Sequence, residues 1–347
     1  MHDKTRSQPF FTSPSGYIGI MITINQINTA YQNIKNDVIR TPLITSDRLN
    51  QSLGFRLWVK CETLQRTGSF KFRGACNAIS TLADDGAPIL AYSSGNHAQA
   101  IALNAFLSGR DATVIMPSDA PITKRQATAS FGANIHLYYR EKENREEIGK
   151  RLQTQMNAHL IPPFNDERVI AGQGTTGIEI TQQCEENSIN PSQLIVCCGG
   201  GGLIAGTAIA VSNKFPNCKI FAAEPIKFDD MKRSLAAGKI LSNPAGNHSI
   251  CDAIVTPAPG ELPFEIAKQL VTGGFTVSDK EVCDAMRAAF HYFKLVVEPG
   301  GAVAFASALS NGFEPLGRDV VVLLSGGNVD EKVFASILEK RPTVNHT

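Results

Sequence analysis

Residues 194–206 read LIVCCGGGGLIAG, and this stretch decides the fold class. It opens with five apolar residues that do not alternate with polar ones, a pattern typical of a parallel strand buried on both faces. Four glycines follow, and the small apolar residues LIAGTAIA (203–210) predict a closely packed helix. A strand, a glycine turn and a helix in this order indicate an α/β protein built on parallel sheets.

The same alternation of strand and helix extends along most of the chain. Short apolar runs predict further strands, and helical patterns lie between them. The predicted strands are RLWVKCE (56–62), ILAYSS (89–94), ATVIMP (112–117), NIHLYY (134–139), KIFAAE (219–224) and DVVVLLS (319–325). The predicted helices are FRGACNAISTL (72–82), HAQAIALNAFL (97–107), TKRQATASFG (123–132), TTGIEITQQC (175–184) and FDDMKRSLAAG (228–238).

The length of 347 residues favours two domains rather than one core. The strand–helix units from ILAYSS to about residue 165 form a compact set, and the double proline that follows is expected to lead the chain out of it. We therefore predict two open parallel-sheet domains, with a small domain (86–167) inserted in a large one (21–85 and 168–347). The Ser-, Pro- and Gly-rich residues 1–20 are predicted to be a disordered extension.

Composition excludes several classes of partner. The formal net charge is +1, which gives no reason to expect a nucleic acid or an anionic membrane surface as partner. No apolar run reaches the roughly 20 residues that span a bilayer. The eight cysteines are scattered and form no CxxC pair, so we expect reduced thiols and a cytoplasmic location.

Glycine-containing loops follow three of the predicted strands: SSGNH (93–97), GGGGL (199–203) and SGGNVD (325–330). In open parallel sheets, ligands bind beyond the carboxyl ends of the strands. Glycines let the backbone approach a ligand, and the free N–H groups of the next helix favour anions. The loop at 199–202 is therefore interpreted as a phosphate site, with a merely flexible turn as the alternative.

A dinucleotide site is a second interpretation of the same loop. Gly200, Gly202 and Ala205 fit the G-x-G-x-x-A pattern, and Glu224 ends the next strand about 20 residues later, where it could bind a ribose. A nicotinamide-dependent dehydrogenase would use this arrangement. It would leave SSGNH, SGGNVD and Lys71 without a role.

Lys71 lies in TGSFKFRG (67–74) between Phe70 and Phe72, at the predicted start of a helix. If the bound phosphate belongs to pyridoxal 5′-phosphate, a lysine amine is needed to form an imine with its aldehyde. Burial beside aromatic rings would lower the pKa of that amine and keep it neutral. The alternative is an ordinary lysine at a helix start.

Taken together, SFKFRGA, SSGNHAQA, GGGGLIAG, AAEP and LSGGNVD resemble, in this order, one branch of the fold-type II pyridoxal-phosphate enzymes. That branch contains the serine/threonine dehydratases and serine racemases. The resemblance extends from about residue 25 to residue 330. It implies a tryptophan synthase β-like fold and a pyridoxal 5′-phosphate cofactor.

The resemblance also implies roles for individual residues. Lys71 would hold the cofactor and act as the base at the substrate Cα, Phe70 would pack near the pyridine ring, and Asn96 would hydrogen-bond the ring hydroxyl. The expected phosphate site is Gly199, Gly200, Gly201, Gly202 and Leu203. The expected carboxylate site is Ser93, Ser94, Asn96 and His97. Glu298 in VVEPGGA would lie near the ring.

Two serines carry the expected reaction type. Ser325 would meet the pyridine nitrogen, and a hydroxyl there keeps the ring a moderate electron sink, which suits β-elimination. In racemases of this family, the serine that matches Ser94 faces the lysine across the substrate. Ser94 therefore permits racemisation, while its alternative role is to cap the following helix.

A divalent-cation site is implied by AAEPIKFDD (222–230). The Glu224 and Asp230 carboxylates and the Phe228 carbonyl would form an all-oxygen set suited to Mg²⁺ or Ca²⁺. The alternative is a carboxylate at a strand end and another in a first helical turn. Arg145 lies in the charge run EKENREE (141–147), which is interpreted as a solvated helix face that could also contact an acidic substrate.

The sequence thus predicts a dehydratase that converts L-threonine or L-serine to a 2-oxo acid and ammonia. The alternatives are a serine racemase or a 3-hydroxyaspartate dehydratase on the same site, the nicotinamide-dependent dehydrogenase, and a silent amino-acid-binding protein. A homodimer or higher homo-oligomer is expected.

Overall fold

The structure is a computed structural model that describes residues 22–120 and 122–339, so the predicted extension lies outside the described residues. The strands are β1 Leu43–Thr45, β2 Arg56–Cys61, β3 Ile89–Tyr92, β4 Ala112–Pro117, β5 Asn134–Tyr138, β6 His159–Leu160, β7 Pro191–Cys197, β8 Lys219–Pro225, β9 Gly273–Val277 and β10 Asp319–Leu324. The helices are α1 Ile24–Ile34, α2 Asp47–Leu53, α3 Lys71–Ser80, α4 Asn96–Leu107, α5 Ile122–Ser130, α6 Arg145–Met156, α7 Glu167–Glu186, α8 Gly202–Lys214, α9 Asp230–Ala237, α10 Glu261–Leu270, α11 Asp279–Ala288, α12 Pro299–Leu309 and α13 Glu331–Glu339.

Six strands form the larger sheet, in the order β1-β2-β10-β7-β8-β9. Only β1 runs antiparallel to its neighbour within this sheet. All six residues of β10 are buried between β2 and β7, as expected for a strand covered by helices on both faces. The last described strand therefore occupies the middle of the sheet.

The smaller sheet has four parallel strands in the order β5-β4-β3-β6, all from residues 89–160. The α/β fold with two parallel-sheet units is thus confirmed, and each predicted strand is present. The sequence interpretation missed β1, β6 and β9 because they are short or, in β9, begin with two glycines. The exact domain limits, 21–85 with 168–347 and 86–167, stay a prediction.

Helices α7 and α8 pack closely beneath the loop that follows β7. A Cβ atom on Gly206 would lie 2.3 Å from the Ile170 carbonyl oxygen, and one on Gly174 would lie 2.9 Å from the Gly206 carbonyl oxygen. Such distances exclude any larger side chain without a shift of the backbone. The small residues that identified the second helix in the sequence therefore let α8 approach α7 and fix where its first turn points.

Helix α3 is anchored by four buried charges. Arg73 contacts Glu62 at 2.8 Å and Glu179 at 2.7 Å, and Lys60 contacts Glu179 at 2.6 Å. All four side chains are at most 1 % exposed. Two positive and two negative charges balance one another, so none is buried without a partner. Because Arg73 lies two residues after Lys71, the cluster holds the start of α3 in place.

Candidate active site

The three glycine-containing loops predicted from the sequence meet at one cavity of about 390 Å³. The loops after β7 and β10 leave neighbouring strands of the larger sheet at the same edge. The loop after β3 reaches the cavity from the smaller sheet. The cavity is lined by Phe70, Lys71, Ser93, Ser94, Asn96, His97, Gly199, Gly200, Gly201, Gly202, Leu203, Glu298 and Ser325, among others. The predicted cofactor and carboxylate residues thus share one cavity, while their roles stay predictions.

Lys71 is the first residue of α3, and its amine faces the cavity. The Nζ atom donates a hydrogen bond of 2.8 Å to the Pro163 carbonyl and lies 5.1 Å from the centre of the Phe70 ring. Burial lowers the pKa of Lys71 to about 8, so an appreciable share of the amine is neutral near physiological pH. A buried, partly neutral amine can act as a nucleophile or a base.

The sequence predicts aromatic rings on both sides of Lys71, from Phe70 and Phe72. The prediction is wrong for Phe72, whose ring does not lie near the amine. The Phe72 side chain is fully buried with Ile34, Val38 and Cys76 on the other side of α3. Neighbouring residues of a helix point about 100° apart. Burial, and not a pair of aromatic rings, therefore lowers the pKa of the amine.

The glycine loop is too tightly packed for side chains. A Cβ atom on Gly200 would lie 2.3 Å from the ring of Phe164, and Gly201 has a φ of +90° with the Met231 side chain 2.8 Å from its Cβ position. The loop leads directly into α8, where the first N–H groups have no partner within the helix. Bare backbone and a helix N-terminus fit a phosphate group.

The loop before α4 carries hydroxyl and backbone donors. Ser93 Oγ accepts a hydrogen bond of 3.2 Å from the Gly95 N–H. The helix begins at Asn96 with Gly95 at its cap position and no side-chain cap, so the alternative role of Ser94 as the helix cap is wrong. Ser94 instead lines the cavity. This position suits contact with a bound carboxylate.

His97 can contribute only its backbone to an anion site. Its Nε2 lies 3.0 Å from the Ile161 carbonyl oxygen, which can only accept, so Nε2 carries the proton. Its Nδ1 is buried and, within the described residues, has no hydrogen-bond partner. Burial lowers the pKa of the His97 imidazole to about 3. The ring is therefore neutral, and the donor that remains at this position is the N–H of the first helical turn.

Glu298 and Ser325 also line the cavity. Glu298 Oε1 accepts a hydrogen bond of 2.5 Å from Asn96 Nδ2, and burial raises the pKa of Glu298 to about 7. Ser325 directly follows β10 and is 4 % exposed. Its hydroxyl lies in hydrogen-bond contact with the Cys197 thiol. Ser325 thus presents a hydroxyl, and no charge, to the cavity.

The residues of the predicted cation site lie outside this cavity but next to its glycine loop. Burial, and after it nearby Asp230, raises the pKa of Glu224 to about 8, and burial raises the pKa of Asp230 to about 6. Asp230 Oδ2 is buried without a partner in the described part of the chain. Two adjacent carboxyls with an open oxygen fit a divalent cation, although no group of three His, Cys, Asp or Glu side chains with metal-site geometry occurs among the described residues.

Glu224 cannot serve a bound ribose as the dinucleotide alternative requires. Its two carboxylate oxygens accept hydrogen bonds of 2.8 Å from the N–H groups of Met231 and Lys232. The side chain is fully buried. Nothing in this arrangement supports a nicotinamide-dependent dehydrogenase.

Several cavity residues were not recognised in the sequence. Pro163 and Phe164 had been interpreted only as part of a connecting segment, yet one binds the Lys71 amine and the other packs on the glycine loop. Arg145 lines the cavity and its guanidinium lies 5.3 Å from the centre of the Tyr92 ring. Its predicted assignment to a solvated helix face is therefore incomplete. Two further basic side chains of the wall are in ion pairs, Lys124 with Asp252 and Arg140 with Asp119.

Comparison with known proteins gives consistent results. The family model described as "Pyridoxal-phosphate dependent enzyme" matches residues 34–326. The chain is 42 % identical to L-threo-3-hydroxyaspartate ammonia-lyase of Saccharomyces cerevisiae, over 94 % of this chain and 100 % of that protein. It is 37 % identical to serine racemase of Schizosaccharomyces pombe, over 92 % and 98 %. The crystal structure of a threonine deaminase from T.th. superposes with a TM-score of 0.85 at 40 % identity, covering 89 % of this chain and 99 % of that one.

Proposed function

The chain belongs to the family of pyridoxal-phosphate-dependent enzymes, and from this premise we propose that it removes water from L-threonine or L-serine. Loss of the Cα proton and the β-hydroxyl gives an enamine. The enamine tautomerises and takes up one water, which releases ammonia and 2-oxobutanoate or pyruvate. The observation that carries the proposal is that the Lys71 amine, the glycine loop and the loop before α4 share one cavity.

The residues present fit the cofactor. Bound pyridoxal phosphate supplies a ring that stabilises the negative charge left when the Cα–H bond of an amino acid breaks. The backbone of Gly199–Gly202 and Leu203 would hold its phosphate, and Lys71 would hold it covalently. Phe70 and Glu298 would lie near the ring, Asn96 would donate to its hydroxyl, and Ser325 would face its nitrogen.

Lys71 would also be the base of the reaction. Burial lowers the pKa of its amine to about 8, so a share of the amine is neutral near physiological pH. The neutral amine can take a proton from the substrate Cα. The Pro163 carbonyl, 2.8 Å away, is a fixed acceptor that would orient the amine hydrogens. This contact would hold the proton-bearing nitrogen on one side of the substrate.

The loop before α4 would orient the substrate. Its hydroxyls at Ser93 and Ser94 and its N–H groups at Asn96 and His97 would form a neutral set of donors to the substrate carboxylate. The neutral His97 ring excludes a full positive charge from this set. Elimination is favoured over racemisation by the hydroxyl of Ser325, but the hydroxyl of Ser94 at the cavity keeps serine racemase as an alternative activity.

A second candidate substrate is 3-hydroxyaspartate, and Arg145 favours it. Within the described residues no carboxylate lies within ion-pair distance of Arg145, whereas Lys124 and Arg140 are paired. A guanidinium without an anionic partner at the cavity wall could donate hydrogen bonds to the second carboxylate of such a substrate. The relative from Saccharomyces cerevisiae is named for this substrate.

The proposal is tested by the colour of the protein and by turnover. The purified protein should absorb visible light, and borohydride should fix the cofactor to Lys71. Lys71→Ala should abolish both and lower turnover at least ~1,000-fold, whereas Lys268→Ala, which removes another lysine near a phenylalanine ring, should change neither. Assays with L-threonine, L-serine and L-threo-3-hydroxyaspartate, with D-serine measured alongside, rank the activities. A colourless wild-type protein would refute the proposal.

Three further features are proposed with this function. Mg²⁺ or Ca²⁺ would bind Glu224, Asp230 and the Phe228 carbonyl.

The eight cysteines all lie within the described residues and form no disulfide there, which supports a reducing, cytoplasmic location. No helix in the described ranges could cross a membrane. A homodimer or higher homo-oligomer is expected, and light scattering of the eluted protein tests it.

A further inference from the structure

The side chain of Asn328 joins two parts of the candidate site that come from distant parts of the chain. Its Nδ2 atom donates a hydrogen bond of 2.7 Å to the Thr67 carbonyl and one of 2.8 Å to Asn96 Oδ1. Thr67 lies in the loop before Lys71, and Asn96 opens α4. Asn328 itself lies behind Asn96, outside the set of residues that line the cavity.

The directions of these hydrogen bonds follow from one backbone group. The Thr67 carbonyl can only accept, so the atom of Asn328 that faces it must be Nδ2. The second hydrogen of the same Nδ2 points to Asn96, so Asn96 must present its oxygen there. Consequently, Asn96 turns its own Nδ2 away from Asn328 and toward Glu298 and the cavity.

Asn328 is held firmly enough to impose this direction. Thr67 and Gly68 have φ values of +57° and +69°, and a Cβ atom on Gly68 would lie 2.4 Å from Asn328 Oδ1. The Gly327 N–H donates a hydrogen bond of 2.8 Å to the Gly68 carbonyl. Backbone contacts on both sides therefore fix the carboxamide of Asn328 against this turn.

The reversed orientation of Asn96 would be unfavourable in the wild-type chain. It would place Oδ1 of Asn96 against Oε1 of Glu298, which is now 2.5 Å from Nδ2, and two such acceptors repel each other whenever Glu298 is ionised. It would also place a donor opposite the donor of Asn328. Nδ2 of Asn96 has a second hydrogen beyond the one given to Glu298, and this hydrogen remains available to an acceptor in the cavity.

We propose that Asn328 is a positioning residue that sets the amide orientation of Asn96, so that Asn96 presents an N–H rather than an oxygen to the ring hydroxyl of the cofactor. The inference rests on the proposed cofactor site. It adds to that site a residue without contact to the cavity. Any effect of replacing Asn328 that passes through the Thr67 turn, and not through Asn96, should persist when Asn96 is also replaced.

A double-mutant cycle tests this dependence. Asn328→Ala should weaken pyridoxal-phosphate binding to the apoprotein about tenfold, because one oriented hydrogen bond is lost, and should shift the visible absorption maximum of the bound cofactor. In an Asn96→Ala background the same change should alter the dissociation constant less than about twofold. Asn328→Asp, which replaces the donor by an acceptor, should produce a larger spectral shift than Asn328→Ala.

Asn247→Ala is the matched control, because Asn247 is also half-buried and its Nδ2 donates to one backbone carbonyl, that of Lys227, at 2.9 Å. It should leave the absorption maximum unchanged. Equal losses of affinity from Asn328→Ala in both backgrounds, or an unchanged spectrum, would overturn the inference. If Asn328→Ala does not fold, Asn328→Asp takes its place in the cycle with the same criteria. A wild-type protein that binds no cofactor would instead refute the proposed function.

Discussion

Arg145 is the residue from which substrate preference can be read. It reaches the cavity wall from α6 and stacks near Tyr92. Arg145→Ala should raise the KM for L-threo-3-hydroxyaspartate about 10- to 100-fold, because a charge-assisted hydrogen bond to the second carboxylate is lost. The KM for L-serine should stay the same, since serine has no such group.

The control for this prediction is Arg151→Ala, on the exposed side of the same helix, which should leave both constants unchanged. Steady-state kinetics with both substrates make the measurement. A parallel rise for serine and 3-hydroxyaspartate would assign Arg145 a structural role instead.

At the level of single residues, the sequence predicted which residues belong to the expected site better than it predicted which residues are in contact. The types and order of Lys71, Asn96 and Ser325 were enough to bring them to one expected site. The directions of the side chains could not be predicted in the same way. Phe72, for example, points away from Lys71 because of helical geometry. Asn328 contacts a residue 232 positions away, and a pairing over such a distance leaves no local pattern in the sequence.

The glycine loop before α8 should tolerate no added methyl group. Gly200→Ala would place a carbon 2.3 Å from the Phe164 ring. The shifts of side chains and backbone that such overpacking forces typically cost about 1–3 kcal/mol. Cofactor affinity should fall by about 5- to 100-fold if this energy is taken from the bound state. Titration of the apoprotein with pyridoxal phosphate measures the change.

Gly273→Ala is the control, since no atom lies within 4 Å of its Cβ position. A second change, Phe164→Ala, should restore part of the affinity in the Gly200→Ala protein because it removes the ring atoms that lie within 2.4 Å of the added carbon. Undiminished binding by Gly200→Ala alone would contradict the close packing of Phe164 on the loop.

Helix α3 depends on its buried charges. Arg73→Met should lower the free energy of unfolding by about 3–5 kcal/mol, because it leaves the carboxylates of Glu62 and Glu179 without their main partner. Urea denaturation measures the loss, and Arg48→Met on the surface helix α2 is the comparison. A loss below about 1 kcal/mol would mean that the cluster is not a support of α3.

Among the elements, the long buried strands were predictable because both of their faces had to be apolar. The helices with small residues were predictable because the whole face that packs on a neighbour had to be apolar. Strands β1, β6 and β9 were not, since a short strand at or near a sheet edge buries too little surface to leave a pattern. The start of α4 was displaced by one residue from the expected capping role of Ser94, and cap positions depend on backbone angles that composition does not determine.

For the whole molecule, the pair Glu224 and Asp230 makes stability depend on pH and cations. Both folded pKa values lie above the ordinary ones, so the folded state binds more protons, and its stability falls as pH rises from about 4 to 8. A divalent cation needs the deprotonated carboxylates. Mg²⁺ or Ca²⁺ should therefore stabilise the protein by ~2.7 kcal/mol at pH 8 when present at a hundredfold excess over its Kd at that pH. The same concentration should stabilise it less at pH 5.

Thermal unfolding with and without the cation at the two pH values makes this measurement. Glu224→Gln should remove most of the cation effect. Its amide oxygen can accept from only one of the Met231 and Lys232 N–H groups, so some stability is lost with and without the cation, and the difference between the two conditions is the quantity compared. An equal response of the wild type and Glu224→Gln would place the cation elsewhere.

The position of β10 has a consequence for biosynthesis. Because β10 is inserted between β2 and β7, the larger sheet stays split until the ribosome has translated residues 319–324. Until then, the nascent polypeptide exposes the unpaired edges of β2 and β7, which chaperones would have to cover. A frameshift or stop codon shortly before position 319 would thus leave an open, aggregation-prone intermediate rather than a folded enzyme.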